Sequence, residues 1–181
     1  MNKGIKVKRK SQKQISEIAQ QFRRLLKLNT PFIDVLELLE STLFEAGIVF
    51  DIRTKDEMGD DEGLCKPDSH EILIREDVYE AACKDCPRAR FTIAHEIGHL
   101  LLHGGVPQLA RSWNPSHHYE SDSEWQANTF AAEFLMPADL MSESHMSIQD
   151  IKRNFGVSWE AARIRYQEVY LYRRGQLKTG S

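Results

Sequence analysis

The chain has 181 residues, of which 41% are hydrophobic and 28% charged, and its net charge is −3. These values are typical of one globular domain with or without an appendage, and no apolar run approaches the ~20 residues that a membrane-spanning helix needs. There are three cysteines, an odd number, and the N-terminus lacks the apolar core and cleavage site of a signal peptide. We therefore expect a cytoplasmic protein with reduced thiols.

Positive charge is concentrated at the N-terminus. Residues 1–30 hold nine Lys or Arg and one acid, so the rest of the chain is acidic. A basic arm of this kind is typical either of a segment that touches nucleic acid or an acidic partner, or of a solubilising tail. We predict that residues 1–13 are a disordered basic arm.

The first half of the chain predicts two helices and two strands. Apolar spacing and end signals predict helices over Gln14–Leu28 and Pro31–Gly47, and strands over Ile48–Thr54 and around Ile72 and Ile74 in HEILIRE. Residues 55–69 are acidic, contain two glycines and a proline, and have no period. We predict that they form a loop.

The second half predicts mostly helices. A short helix covers Val78–Ala82, and Pro87 suits the first turn of a longer one that stops at Gly104–Gly105. A long loop over residues 106–120 leads to a helix in SDSEWQANTFAAEFLMP, which Pro137 ends. Two final helices surround Gly156–Ser158, and the first begins with capping-box spacing in SIQD, residues 147–150.

The motif RFTIAHEIGHLLLH, residues 90–103, carries the strongest chemical signal. On a helix His99 lies ~40° round from His95 and one turn further along. Two imidazoles so placed can bind one ion, each with a nitrogen ~2.0–2.1 Å from it. Glu96 flanks the pair, where a general base for the attacking water is expected. The spacing therefore favours zinc bound by His95 and His99, with Glu96 catalytic, over a core helix that is merely rich in histidine.

A catalytic zinc usually takes three protein ligands, and the next long helix offers Glu124 and Glu133. Helical geometry puts Glu124 among apolar neighbours, and Glu133 on the opposite face with Gln126, which we predict to be solvated. Because a buried carboxylate needs a cation, Glu124 is the predicted third ligand. One turn further, Asn128 is placed either to hydrogen-bond a ligand histidine or to fill the helix interface.

Other histidines and the cysteines leave alternatives open. His103 shares the stripe of the two predicted ligands, where it either contacts substrate or the transition state, or stabilises the helix C-terminus as a cation. His117 and His118 lie in the long loop, either solvated or near the cleft. Cys83 and Cys86 have CxxC spacing, but a second metal site would need two more ligands, and the context of a redox unit is missing. We therefore expect plain thiols at Cys65, Cys83 and Cys86.

The chain resembles the ImmA/IrrE family of metallopeptidases over about residues 30–170. The resemblance rests on three segments in this order: RFTIAHEIGHLLLH, SEWQANTFAAEFLMP and FGVS. The resemblance implies an α+β, zincin-like domain over residues 14–145, with a small mixed sheet packed against several helices. It also implies a cytoplasmic endopeptidase with one Zn²⁺ per chain, often encoded on a phage or mobile element. Such enzymes cleave a helix-turn-helix repressor encoded nearby and so derepress its genes. At the positions that match the family's motifs, the resemblance implies that His95, His99 and Glu124 bind zinc and that Glu96 is the catalytic base.

Residues 146–175 predict a C-terminal helical appendage that resembles a helix-turn-helix. Lys152 stands where that motif requires a small residue, and residues 148–174 have a net charge of only +3. DNA binding usually needs a more basic face. We therefore expect a structural or repressor-docking role rather than direct DNA binding, and a frayed tail over residues 176–181.

Substrate binding and the class of function follow from these assignments. We predict that Ile72, Leu73 and Ile74 form an edge strand, to which an extended substrate adds as a further strand. An alternative class of function is a non-proteolytic anti-repressor or toxin–antitoxin partner that acts by binding. Binding alone does not require Glu96, which favours the enzyme.

Overall fold

The computed structural model describes residues 4–105 and 117–172 of the chain. The predicted loop residues 106–116 and the predicted frayed tail lie outside the described residues. The elements are α1 (Gln12–Leu25), α2 (Val35–Glu37) continued by a π-helical segment (Leu38–Leu43), β1 (Val49–Arg53), α3 (Lys55–Met58), β2 (Gly63–Lys66), β3 (Glu71–Arg75), α4 (Glu76–Ala82), α5 (Pro87–Leu102), α6 (Ser123–Leu135), α7 (Ala138–Ser144), α8 (Ile148–Phe155) and α9 (Trp159–Tyr166) continued by a π-helical segment (Gln167–Tyr172).

Three strands form one mixed sheet in the order β1-β3-β2, with β1 parallel and β2 antiparallel to β3. The predicted α+β class with a small mixed sheet is thereby confirmed. No helix within the two described ranges combines the length and the apolarity that crossing a bilayer requires.

The sheet corrects two predictions. The segment predicted as a loop contains β2, which is four residues long and shows no alternation, so its pairing with β3 is the feature that makes it a strand. The predicted edge strand, Ile72–Ile74, is the central strand, and all three of its residues are buried. The prediction was wrong because period-2 alternation reports one covered face and says nothing about neighbouring strands.

Residues 4–13, which belong to the predicted disordered arm, make specific contacts with the segment that precedes α6. Lys6 pairs with Asp122 in an antiparallel bridge, the Val7 N–H donates to the Ser121 carbonyl at 2.9 Å, and Val7 is buried. Composition alone missed these contacts because they depend on backbone pairing with a segment more than 100 residues away.

Local end signals set the C-terminal helices as predicted. Ser147 and Asp150 form the capping box of α8, Gly156 ends that helix in the left-handed conformation at φ 63°, and Ser158 caps α9. Phe155 is fully buried in the same hydrophobic core as the helices before it. The core is therefore continuous across residue 146, where the sequence predicts a boundary.

Helix α6 lies between α5 and α1, so both of its faces are covered. Glu133 and Gln126, predicted to be solvated, are 4% and 0% exposed. Glu133 forms an ion pair with Arg165, and the Ser16 hydroxyl donates to it at 2.9 Å. The prediction was wrong because helical periodicity identifies one buried face and cannot show that a second helix covers the other.

Candidate metal centre

The predicted ligands meet where α5 and α6 pack side by side. His95 Nε2 and His99 Nε2 each lie 3.2 Å from a Glu124 carboxylate oxygen and 3.0 Å from one another. Among the residues that the structure describes, these three form the group of His, Cys, Asp or Glu side chains close enough to hold one metal ion, with ligand atoms within 4.8 Å of each other. The Glu124 side chain is 38% exposed, more than the apolar-face prediction implies, so the centre is open to solvent.

A glycine allows the two helices to approach. A Cβ on Gly98, between the two histidines, would lie 3.1 Å from a Phe130 ring carbon and 3.2 Å from the Ala127 carbonyl oxygen. These contacts are tighter than ordinary van der Waals separations. The glycine of HEIGH thus sets the short distance from α5 to Glu124.

The donor set suits a divalent cation such as zinc, which binds imidazole nitrogen and carboxylate oxygen. Burial opposes ionisation of Glu124, but hydrogen bonds and charge interactions with His95 and His99 outweigh it and lower the pKa of this carboxyl. Burial also opposes protonation of His95, but Glu124 prevails and raises the pKa of this imidazole. A bound cation would take the place of the proton that these groups compete for.

Glu96 lies beside the ligands, 6% exposed, and accepts a hydrogen bond from the Cys65 backbone N–H. Burial raises the pKa of Glu96, against the opposing effect of His99 and His95. Burial, with the nearby Glu96, also raises the pKa of the Cys65 thiol, so this sulfur stays protonated. The thiols are free at Cys65, Cys83 and Cys86.

The strand edge that faces Glu96 belongs to β2. Arg75 N–H donates to the Glu62 carbonyl, so the alternation of an antiparallel pair turns the backbone groups of Gly63 and Cys65 away from β3. The Cys65 N–H bond to Glu96 agrees with this direction. Sequence reasoning missed β2, because Gly63-Leu64-Cys65-Lys66 has no strand period and follows an acidic stretch.

Gly63 is required by the position of Glu96. A Cβ there would lie 2.8 Å from Glu96 Cγ and 2.8 Å from its Oε1. We expect Gly63→Ala to displace this carboxylate and lower any cleavage rate by at least ~10-fold, short of the ~10²–10⁴-fold of losing a general base, with zinc content unchanged. Gly104→Ala is the matched control, since a Cβ at Gly104 meets nothing within 4 Å. Equal cleavage rates in both variants would contradict this assignment.

Asn128 and His103 each contact one of the two predicted histidine ligands. Asn128 Oδ1 lies 3.0 Å from His95 Nδ1, so Asn128 makes the contact predicted for it. His103 is buried, 3.0 Å from His99 Nδ1 and 3.2 Å from Gln126 Oε1. Burial, together with His99, lowers the pKa of His103 to about 4 and so favours the neutral ring. His103 is the C-terminal capping residue of α5, but the neutral form does not supply the cation that the capping interpretation assumes.

The two loop histidines, His117 and His118, do not belong to the group of residues that could hold the metal ion. His117 Nε2 is 2.8 Å from Asp122, the residue that caps α6, and His118 packs against the Tyr119 ring. Both therefore contact the segment that leads into α6.

Comparisons with known proteins identify a matching family, a similar sequence and a similar fold. The family model Peptidase_M78, described as the IrrE N-terminal-like domain, matches residues 49–167. A curated relative, the radiation response metalloprotease IrrE of Deinococcus deserti, is 36% identical over 109 residues, which are 58% of this chain and 33% of that protein, so the chain spans about a third of its length. A Mycobacterium tuberculosis transcriptional regulator shares the fold, with a TM-score of 0.58 and 17% identity, covering 88% of this chain and 48% of that one.

Proposed function

We infer the function of this chain from the premise that it belongs to the Peptidase_M78 family of IrrE N-terminal-like peptidases, the ImmA/IrrE metallopeptidases. We propose that it is a zinc endopeptidase with a zincin-like catalytic domain, which cleaves a regulatory protein. The observation that carries this proposal is the placement of His95, His99 and Glu124 around one point, with the buried Glu96 beside them.

In the proposed reaction His95, His99 and Glu124 hold the metal, and Glu96 moves protons. Zinc held by these ligands would supply a Lewis acid, which would polarise the scissile carbonyl and favour deprotonation of the attacking water. Glu96 takes a proton from that water and delivers it to the leaving nitrogen. The Cys65 N–H next to Glu96 lowers the pKa of this carboxyl, against the effect of burial, and so favours its ionised form before the first transfer.

The substrate is proposed to bind as an extended segment along β2 rather than along Ile72–Ile74. Outward backbone groups of β2 lie beside Glu96, which makes this edge the one from which a peptide bond can reach the centre. Backbone pairing gives affinity with little sequence selection. Selection of one substrate then requires contacts elsewhere, and the face of α8 and α9 is the proposed docking surface, in preference to direct DNA binding.

The proposed substrate is a cytoplasmic helix-turn-helix repressor encoded near this gene on a phage or mobile element, whose cleavage derepresses its target genes. The motif resemblance supports this substrate class. The test is to incubate the purified chain with that repressor and follow cleavage on gels. We expect one pair of fragments, none with a chelator present, and recovery on adding zinc. Relief of repression with the repressor intact would instead favour the non-proteolytic anti-repressor.

Glu124 is expected to be essential for metal retention. The parent protein should hold about one zinc per chain, and Glu124→Gln should weaken zinc binding by more than the ~10–100-fold typical of losing a partner outside the ligands. Elemental analysis and chelator competition measure this. Glu143→Gln, an exposed acid on α7, is the control and should bind zinc as the parent does. Equal affinities in the two variants would exclude Glu124 as a ligand.

A further inference from the structure

A continuous chain of hydrogen bonds connects the protein interior to His99. It begins at Gln126, which is fully buried. The side-chain amide nitrogen of Gln126 donates to the Lys8 carbonyl at 2.9 Å and to the Glu120 carbonyl at 2.7 Å. Carbonyl oxygens only accept hydrogen bonds. The orientation of the Gln126 amide is therefore determined, with its oxygen directed at His103.

The orientation of the Gln126 amide determines which nitrogen of His103 donates, and His103 in turn determines which nitrogen of His99 carries a proton. The Nε2 of His103 lies 3.2 Å from Gln126 Oε1, an acceptor, so Nε2 must donate. A neutral imidazole carries one N–H, so the Nδ1 of His103 accepts. That Nδ1 lies 3.0 Å from His99 Nδ1, which must therefore carry the proton.

We propose that Gln126 and His103 are positioning residues that hold His99 with its proton on Nδ1 and its Nε2 lone pair directed at the metal centre. The hydrogen bond at one imidazole nitrogen determines which nitrogen is free to bind metal. The basic arm takes part, because the Lys8 carbonyl is one of the two acceptors that orient Gln126. This gives the arm a role in the centre in addition to its charge.

The two ligand histidines are held in different ways. His95 Nδ1 contacts Asn128, an exposed residue, whereas the chain from His99 ends on backbone carbonyls within the fold. In both rings Nδ1 is engaged, and the two Nε2 atoms face each other at 3.0 Å. Two nitrogen lone pairs at that separation repel each other unless a cation contacts both. The placement of the two rings therefore favours a bound cation.

This inference rests on the proposed function, and its experiment uses readouts other than cleavage. Nitrogen-15 NMR of the full chain, metal-free and zinc-loaded, reports whether His99 carries a proton on Nδ1. Chelator competition gives zinc affinity for the parent, His103→Phe and Gln126→Met, two variants that break different links. Thr129→Val is the matched control, because the Thr129 hydroxyl donates to Trp125 of its own helix at 2.7 Å.

We expect a proton on His99 Nδ1 in both states of the parent, and ~10–100-fold weaker zinc binding in each variant. The His99 Nδ1–H signal should disappear in His103→Phe and exchange faster in Gln126→Met, while Thr129→Val matches the parent. If His99 Nδ1 carries no proton in the parent protein, the inference is wrong, whatever the variants show. Folded variants that bind zinc as tightly as the parent would overturn it too. A parent with the proton but no zinc affinity would instead overturn the proposed metal centre and leave the hydrogen-bond assignment standing.

Discussion

Glu96→Gln is expected to keep the fold and the zinc of the parent and to lower the cleavage rate by at least ~10²–10⁴-fold, the usual effect of losing a general base. The amide keeps the size of the carboxylate, and its oxygen still accepts from the Cys65 N–H. It has no basic site to take the proton of the attacking water. The loss should exceed the lower figure, because one carboxylate both accepts and delivers the proton. Rates of repressor cleavage on gels, with zinc content measured in parallel, test this.

Glu62→Gln is the matched control for Glu96→Gln. Glu62 directly precedes β2, but its carboxylate pairs with Arg88 of α5 at 2.6 Å, so its loss should leave the cleavage rate unchanged. If the Glu96 variant cleaves as fast as the parent, the assignment of the base is wrong. If it binds the repressor and relieves repression without cleavage as well as the parent does, the protein acts by binding and its zinc site is structural.

Glu133→Gln is expected to destabilise the protein by about 3–5 kcal/mol, the range for breaking a buried ion pair by removing one partner. Both side chains of the pair are nearly inaccessible, 5% exposed for Glu133 and 3% for Arg165. The variant leaves the Arg165 charge buried with its strongest partner gone. Denaturant unfolding of the metal-free protein measures the change in free energy, without a contribution from zinc binding.

Glu168→Gln provides the comparison for the buried pair. Its carboxylate also pairs with Arg165, at 3.0 Å, but its side chain is 38% exposed, and such pairs contribute about 0–1 kcal/mol. Replacing both Glu133 and Arg165 by Met should cost less than Glu133→Gln, because no unpaired charge stays buried. Equal destabilisation by the Glu133 and Glu168 variants would show that the pair is solvated after all.

The helix that carries His95, Glu96 and His99 was predictable from the sequence, as were the capping box at Ser147 and the helix end at Gly156. These features depend on residues within one or two turns of each other, so their physics is local. The choice of Glu124 over Glu133 used the angle around one helix together with the premise that the Glu133 face is solvated, and that premise was wrong, since Glu133 is 4% exposed. The structure brings Glu124 to the two histidines, although it is more exposed than that argument implies.

Which second surface each helix or strand contacts depends on the packing of the whole chain. Gln126 and Glu133 lie on a face that looked solvated, and α1 and the N-terminal arm cover it. β2 is a strand because β3 pairs with it, and the same pairing makes Ile72–Ile74 central. Periodicity in a sequence shows that one face is buried, but burial of the other face and pairing at an edge depend on contacts between residues far apart in the chain. Local sequence patterns therefore identified the candidate residues of the metal centre, whereas long-range packing determines how those side chains are held.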